Sequence, residues 1–378
     1  MRLTGARVFD LRRGFTERPL CVEGDRIVPD SFGEVCLAGC WLIPGLTDLH
    51  FHGCRGADVS DGDPAGLETI ATYQLSRGVT QICPAVMTLS TPELLGACGA
   101  AAAHLAAGKP GAELAGIHLE GPFLSAAKCG AQNARWLRAP SLSLLDSLLE
   151  ASQGLVKLMT VAPELDGAMD FIRAAKDLVT VSLGHTEADY GTALAAFQAG
   201  ARQVTHLFNA MPPFHHRDPG VIGAAADCPE VFCELICDGV HVHPAAVRAA
   251  FRMLGAERIL MVSDSMRGTG MPDGTYALGG QAVRVEKGCA RLADGGLAGS
   301  VTDLMDCLKR AVSFGVPLAD AVRAAAVNPA GVLGIAGRTG SLEPGKVANI
   351  AVLDENLELR AVLFHGKLVA GSLHGIGD

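Results

Sequence analysis

Short runs of apolar residues alternate with longer amphipathic stretches through most of the chain. Eight of these runs have the length and composition of buried strands, and they cover residues 47–52, 79–87, 114–121, 156–163, 179–186, 203–210, 233–242 and 258–265. Helix-like stretches such as "GLETIATYQLSRG" and "PAAVRAAFRMLG" separate most of the runs, and these two end in Gly78 and Gly255. Eight alternating units predict an α/β fold, a closed (β/α)8 TIM-like barrel, with an open doubly wound sheet as the alternative.

Both ends of the chain carry shorter apolar segments that alternate with polar positions and are separated by glycine and aspartate turns. They predict one small β-sandwich domain built from both termini, with residues 1–43 as its N-terminal part and residues 336–378 as its C-terminal part. The barrel then occupies residues 44–335. A glycine-rich stretch at about residues 270–299 interrupts the pattern after the eighth strand and predicts a hairpin insertion.

The composition narrows the class of protein. Hydrophobic residues make up 49% and charged residues 19% of the 378 residues, which excludes an intrinsically disordered chain. The formal net charge of −9 argues against a nucleic-acid partner, because binding a phosphate backbone needs a broad basic surface. Neither a signal peptide nor an apolar run of about 18 residues is present, so we expect no export and no membrane insertion.

Twelve cysteines are scattered along the chain without the spacing of a disulfide framework. We therefore expect reduced thiols and a cytoplasmic protein. Cys233 and Cys237, like Cys36 and Cys40, have loosely the spacing of metal-binding pairs. Small buried apolar side chains are the favoured interpretation of all four.

Titratable side chains collect at the ends of the predicted strands, where TIM-barrel enzymes hold their catalytic groups. They are His50 and His52 on strand one, Glu120 on strand three, His185 on strand five, His206 on strand six, His241 on strand seven and Asp264 on strand eight. Because the two histidines of strand one are two residues apart, their side chains share one face. Imidazoles and carboxylates together indicate a divalent transition metal such as zinc, iron or manganese.

Three of these side chains, Glu120, His185 and His206, provide enough ligands for a catalytic metal and leave one position for water. Asp264 is placed to act as general base and then as general acid for the leaving group. His118 shares a strand face with Glu120 and is interpreted as packing or as a neighbour of the ligands. Lys157 opens its strand rather than closing it, which argues against a carbamylated lysine bridge.

The motifs that hold these residues resemble the amidohydrolase superfamily and, within it, the N-acetylglucosamine-6-phosphate deacetylase family. They are "PGLTDLHFHG", "GIHLEGPFL", "SLGHT", "THLFNAMPPFHHRDPG", "CDGVHV", "SDSM", "GMPDGTYALGG", "LAGS" and "GSLEPGKVANIAVLD", and they follow one another over essentially the whole chain. The resemblance implies hydrolysis of an acetamide on N-acetyl-D-glucosamine 6-phosphate. It also implies that Glu120, His185 and His206 bind the metal and that Asp264 accepts and donates the proton.

The resemblance further implies the residues that bind the sugar phosphate: Ala131, Gln132, Asn209, Ala210, Arg217, Asp238, His241, Leu297, Ala298 and Gly299. Arg217 is expected to hold the phosphate, and the neighbouring subunit of a homodimer is expected to complete that part of the site. His215 and His216 are expected to shape the same loop. Because the chain keeps His50 and His52, a second ion bridged by Glu120 is expected as well, so one or two ions bind; zinc is favoured over iron, manganese or cobalt.

One position departs from the family pattern. Gln132 stands where the family has a substrate-binding histidine, and a glutamine can donate hydrogen bonds but cannot carry a positive charge. The sugar isomer is therefore open, and an N-acetylgalactosamine-type phosphate is the alternative substrate. Another amide of the superfamily and a non-catalytic scaffold are the remaining alternatives.

Overall fold

The computed structural model describes residues 1–373, and its first forty-odd residues form short strands. These are β1 (Arg2–Thr4), β2 (Arg7–Asp10), β3 (Gly14–Glu17), β4 (Leu20–Glu23), β5 (Arg26–Val28), β6 (Glu34–Cys36) and β7 (Trp41–Pro44). Four of them form a sheet in the order β5-β4-β1-β6, while β2, β3 and β7 belong to a second sheet. In β1 and β5 only the middle residue is buried, so one face of these two strands packs on the core and the other is more exposed.

The predicted apolar runs form parallel strands in chain order. They are β8 (Leu46–Asp48) and then, after a small antiparallel hairpin of β9 (Gly53–Cys54) and β10 (Ala57–Asp58) that lies outside the predicted runs, β11 (Val79–Ile82), β12 (Ala85–Val86), β13 (Glu113–Leu114), β14 (Ile117–Phe123), β15 (Val156–Val161), β16 (Thr180–Leu183), β17 (Gln203–Val204), β18 (Phe232–Ile236) and β19 (Ile259–Val262). Seven of them form one curled parallel sheet in the order β12-β14-β15-β16-β17-β18-β19. The second apolar run supplies both β11, which pairs with β8, and β12, which pairs with β14.

The two ends of this strand series also meet. The backbone N–H of Asp264, just after β19, donates to the carbonyl of His50, just after β8, at 2.9 Å. The side chain of Ser263 donates to Asp48 at 2.6 Å across the same junction. The carboxyl ends of the first and eighth strands are therefore adjacent.

Helices follow most of the parallel strands. They are α1 (Pro64–Ser76), α2 (Thr91–Ala107), α3 (Leu142–Ala151), α4 (Ala168–Ala175), α5 (Tyr190–Ala199), α6 (Gly220–Asp227), α7 (Pro244–Leu254), α8 (Leu304–Ser313), α9 (Leu318–Val322) and α10 (Asn328–Val332). Aspartates begin several of them, as where Asp63 accepts from Ala65 N at the start of α1. Gly78 and Gly255 lie just after α1 and α7 with φ of 80° and 79°, as expected for residues that stop a helix. None of the helices within residues 1–373 is long and apolar enough to cross a membrane.

The stretch after β19 is a three-stranded antiparallel sheet. Its strands are β20 (Gly274–Leu278), β21 (Gln281–Glu286) and β22 (Cys289–Arg291). Leu278, Val283 and Ala290 pack with Met87 and Met266 in a separate apolar cluster beside the parallel strands. The predicted hairpin therefore lies against the carboxyl ends of those strands.

The C-terminal strands are β23 (Ile350–Leu353), β24 (Leu359–Phe364) and β25 (Lys367–Gly371). They complete the second sheet in the order β25-β24-β23-β7-β2-β3. In it, Ile350 of β23 lies opposite Pro44 of β7, in antiparallel register. One sheet thus contains strands from both ends of the chain.

Candidate active site

A cavity of about 380 Å³ opens at the carboxyl ends of the parallel strands. Most of the residues singled out in the sequence line it: His52, Glu120, Ala131, Gln132, His185, His206, Asn209, Ala210, His241, Asp264, Leu297 and Gly299. Met87, Ala127, Lys128, Gly130 and Leu278 line it too and were not predicted. Residues that lie up to 247 positions apart in the chain, His52 and Gly299, therefore line one cavity.

Glu120 is the centre of the first group of possible metal ligands. Its Oε1 lies 3.0 Å from Nε2 of His185 and 3.1 Å from Nε2 of His206, and these two nitrogens are 3.0 Å apart. All three side chains are buried. Glu120 lies within β14, and each histidine lies two residues beyond its strand. The fold therefore brings together the three ligands that the sequence predicted.

The strand-one histidines and Asp264 form a second group on the other side of Glu120. Nε2 of His52 lies 3.2 Å from Oδ1 of Asp264 and 3.3 Å from Oε2 of Glu120. Nε2 of His50 lies 3.3 Å from Oε1 of Glu120 and 3.8 Å from Oδ1 of Asp264. The Glu120 carboxylate therefore faces both groups, the arrangement that a bridging ligand needs.

The donor atoms of this site fit a divalent cation. Among the residues that the structure describes, Nε2 of His50 and Oδ1 of Asp264 are buried there without a hydrogen bond. Buried polar atoms normally have a partner, so two such atoms in one site call for a ligand. The ligand atoms within each group lie within 4.8 Å of one another, and imidazole with carboxylate suits transition metals.

Burial and charge act in opposite directions on the pKa values of these groups. Burial disfavours charge on His52, yet the neighbouring carboxylates of Asp264 and Glu120 raise the pKa of His52 to about 9. Burial also raises the pKa of Asp264, but the neighbouring imidazoles of His52 and His50 outweigh it and lower that pKa. Asp264 is therefore an ionised carboxylate at neutral pH and can accept a proton.

The pKa of the Glu120 carboxyl is held well below its ordinary value. Burial works against this, but the charge of His50 and the hydrogen bonds with His185 and His206 outweigh it. On His118 burial and the charge of His50 act in the same direction, and they lower its pKa to about 4. Its Nε2 lies 2.8 Å from the Thr160 hydroxyl, which agrees with its interpretation as a packed neighbour of the ligands.

Both the nitrogen and the oxygen of the Gln132 side-chain amide form hydrogen bonds with other residues of the protein. Its Nε2 donates to Oε2 of Glu120 at 2.6 Å, and its Oε1 accepts from the backbone N–H of Thr88 at 2.7 Å. Only 2% of the residue is exposed, although it lines the cavity. The glutamine that replaces the expected substrate-binding histidine therefore contacts a possible metal ligand directly.

Three residues expected to bind substrate do not line the cavity. The Asp238 carboxylate accepts from Nδ1 of His241 at 2.7 Å and from the backbone N–H groups of Val240 and His241, so it orients His241 instead. Ala298 is buried between two lining residues. Arg217 is exposed, and its Nη1 lies 2.8 Å from Nε2 of His216.

Two charged residues, Lys128 and Glu234, lie at or beside the site although they were not predicted there from the sequence. Lys128 lines the cavity, and its carbonyl accepts from Nδ1 of His185 at 2.7 Å. Glu234 is fully buried below the site in contact with His50. Its only signal in the sequence is a lone carboxylate within the apolar run "CELIC". Lys157, as expected, lies elsewhere: it donates to the carbonyl of Gly154 near the surface.

Several site residues have backbone conformations that are rare for residues other than glycine. His185, His206, Ala210 and Asp264 have φ of 48°, 31°, 51° and 50°. Such conformations cost free energy and persist where surrounding contacts impose them. Here they direct side chains from the strand ends into the cavity.

The sequence and the fold resemble known proteins. The model of the amidohydrolase family matches residues 41–369. N-acetylglucosamine-6-phosphate deacetylase of Bacillus subtilis is 38% identical over 332 residues, which cover 86% of this chain and 84% of that protein. N-acetylgalactosamine-6-phosphate deacetylase of Escherichia coli O157:H7 is 37% identical over 331 residues, which cover 87% of this chain and 88% of that one.

Solved structures agree with these relatives. A variant of N-acetyl-D-glucosamine-6-phosphate deacetylase from Mycobacterium smegmatis, solved in complex with N-acetyl-D-glucosamine-6-phosphate, superposes with a TM-score of 0.92 at 35% identity. The match covers 98% of this chain and 99% of that one. Fold and sequence thus point to the same group of enzymes.

Proposed function

The chain belongs to the amidohydrolase family, and we propose that it removes the acetyl group from N-acetyl-D-glucosamine 6-phosphate. The products are glucosamine 6-phosphate and acetate, which places the enzyme in amino-sugar metabolism. The observation that carries this proposal is the convergence of Glu120, His185, His206 and Asp264 in one cavity. Relatives named for this reaction at 34–38% identity over most of the chain support the substrate.

Glu120, His185 and His206 would hold a divalent transition metal, with zinc favoured and iron, manganese or cobalt as alternatives. His50 and His52 would contribute to a second ion, with Glu120 shared between the two positions. When bound, such an ion lowers the pKa of water and polarises an amide carbonyl. The ligand set of imidazoles around one carboxylate supports this assignment.

Asp264 would move the proton in both halves of the reaction. Its lowered pKa keeps it ionised at neutral pH, so it would be free to take a proton from the attacking water, and the same carboxyl would then protonate the departing amine. Asn209, Ala210 and His241 would hold the sugar, with Asp238 fixing the His241 ring. Leu297 and Gly299 close the cavity over it.

Arg217 would hold the phosphate, because its planar guanidinium can make two charge-assisted hydrogen bonds to phosphate oxygens. Since it does not line the cavity of its own chain, this role requires the site of a neighbouring subunit. We therefore infer a homodimer. Twelve free thiols support a reducing, cytoplasmic location.

We also infer the finer architecture from the family and the topology. The hydrogen bond between Asp264 and His50 supports a closed (β/α)8 barrel at residues 44–335. The sheet shared by both chain ends supports a small β domain made from residues 1–43 and 336–378; residues 374–378 lie outside the described part.

A second candidate substrate is N-acetylgalactosamine 6-phosphate. The Escherichia coli relative named for that sugar is nearly as similar as the others, and Gln132 departs from the family histidine. The two sugars differ only in the configuration of one hydroxyl group, so the amide chemistry at Asp264 is the same for both.

An acetate-release assay tests the proposal. It compares N-acetylglucosamine 6-phosphate, N-acetylgalactosamine 6-phosphate and both free N-acetyl sugars with metal-loaded protein. We expect the highest kcat/KM on the glucosamine phosphate and a much lower value without phosphate. Preference for the galactosamine phosphate would select the second candidate, and acetate release from none of the four sugars would contradict the proposed function.

A further inference from the structure

Glu234 is a fully buried carboxylate that does not line the cavity. It lies in β18 between Cys233 and Leu235, which are also buried. A charged group in such surroundings costs free energy unless hydrogen bonds compensate it. A role for this carboxylate should therefore be visible in its contacts.

Two of those contacts are made with His50 and His206, residues of the proposed metal site. Oε2 of Glu234 accepts from Nδ1 of His50 at 2.6 Å and from the backbone N–H of His206 at 3.0 Å. Oε1 accepts from the side-chain amide of Gln203 at 2.6 Å. One oxygen thus holds the ring of one possible ligand and the backbone of another.

The hydrogen bond to His50 determines what that ring presents to the cavity. In the neutral ring that metal binding requires, Nδ1 donates to the carboxylate and the other ring nitrogen carries the lone pair. This Nε2 faces Glu120 and Asp264 and has no hydrogen bond of its own. A carboxylate behind a metal-binding histidine fixes its tautomer and makes it a stronger ligand.

We propose that Glu234 is a positioning residue of the metal site, which it serves by orienting His50 and anchoring the backbone at His206. This inference rests on the metal site of the proposed function. Glu234 does not line the cavity, so it would act through the two histidines.

A purely structural role can be separated from this one. In Glu234→Gln, the amide oxygen can still accept from His50 and His206. Its new NH2 group can donate to Oε1 of Gln203, which has no partner in the described chain, once the Gln203 amide turns over. The hydrogen bonds are then preserved and only the negative charge is lost, so the variant should fold.

The test measures metal binding without substrate. Glu234→Gln, Gln203→Met and the unchanged protein are stripped of metal, and Zn²⁺ affinity is measured by competition with a chelator. Metals per chain are counted by elemental analysis, and the visible spectrum of the Co²⁺ form reports the ligand geometry. We expect Glu234→Gln to bind Zn²⁺ about 10–100-fold more weakly and to change the Co²⁺ spectrum.

Gln203→Met is the matched control, because it removes a partner of Glu234 but leaves both contacts to the histidines. It should lower the melting temperature while Zn²⁺ affinity stays close to that of the unchanged protein. Unaltered affinity and spectrum in Glu234→Gln would overturn the inference. If that variant does not fold, Glu234→Asp decides, since the shorter side chain keeps the charge but cannot reach both histidines; unaltered affinity there also overturns the inference.

The outcome is independent of the proposed reaction. Weaker Zn²⁺ binding in Glu234→Gln supports the inference even if the unchanged protein releases no acetate, which would contradict only the proposed function. An active enzyme whose Glu234→Gln form binds Zn²⁺ as tightly as before leaves the function intact and removes the inference.

Discussion

At the scale of single residues, the Asp264 carboxylate is buried, and its Oδ1 lies 3.2 Å from Nε2 of His52. Asp264→Asn preserves the shape but removes the group that accepts a proton. We expect kcat to fall about 10²–10⁴-fold, the usual contribution of a general acid–base group.

Steady-state acetate release and elemental analysis of the same preparation check this prediction. Metal content should stay near that of the unchanged protein, since Glu120, His185 and His206 are intact. Turnover within a few-fold of normal would mean that another group moves the proton.

Gln132 allows a second prediction at this scale, because its contacts differ from the expected substrate contact. Gln132→Leu leaves Thr88 N–H and Oε2 of Glu120 without a buried partner, which should lower the free energy of unfolding by about 1–3 kcal/mol. If Gln132 acts on Glu120, kcat should fall more than KM rises.

Kinetics and chemical unfolding of Gln132→Leu check this expectation. Asn209→Ala is the comparison, because Asn209 lines the cavity without contacting Glu120 and should mainly raise KM. A pure KM effect in Gln132→Leu would instead assign the residue to substrate binding.

At the scale of elements, the hairpin of β20 and β21 packs closely against the loop that follows β14 and carries Ala131. Gln281 donates from Nε2 to the carbonyl of Ala131 at 3.0 Å. A Cβ added at Gly279 would lie 2.5 Å from that same carbonyl oxygen and 2.9 Å from Met87. The turn between these strands therefore positions the loop that carries Ala131 and Gln132.

Gly279→Ala should move this loop and raise KM several-fold, besides the cost of about 1 kcal/mol for a left-handed alanine. Gly280→Ala is a matched control: it has φ of 79° rather than 57°, yet its added Cβ would meet only Asn133 at 3.9 Å. Both variants should lose the stability that a left-handed alanine costs in thermal unfolding, Gly279→Ala should lose more because of the close contacts, and only Gly279→Ala should change KM. Equal kinetics would show that the hairpin does not support the site.

At the scale of the whole molecule, the exposed position of Arg217 predicts a site completed by a second subunit. We expect Arg217→Ala and Asp264→Asn to be nearly inactive on the phosphorylated sugar when each is alone. In a mixed dimer, one site has its own Asp264 and receives Arg217 from the other chain, so about half of the activity should return.

Dimers carrying one copy of each variant can be isolated by two affinity tags and assayed for acetate release. Light scattering should show twice the mass of one chain. A mixed dimer as inactive as its parents would place Arg217 in its own subunit's site or outside the phosphate site.

The order of strands and helices could be predicted from the sequence, because local patterns of apolar residues and glycines are enough to place these elements. Buried parallel strands read as continuous apolar runs, and glycines such as Gly78 and Gly255 mark where helices stop. Residue type and strand-end position were enough to select Glu120, His185 and His206, since carboxyl ends of parallel strands meet at one end of the sheet.

Tertiary structure alone decided which atoms of those residues meet. The left-handed backbone at His185, His206 and Asp264 is imposed by surrounding contacts and has no signal in residue type. The same holds for Gln132, whose partner Glu120 is close in space only because β14 and the following loop fold back together. Glu234 shows this most clearly. Its carboxylate can be identified from the sequence, but its hydrogen bond with His50, 184 residues away, forms only because the fold brings β8 and β18 close together.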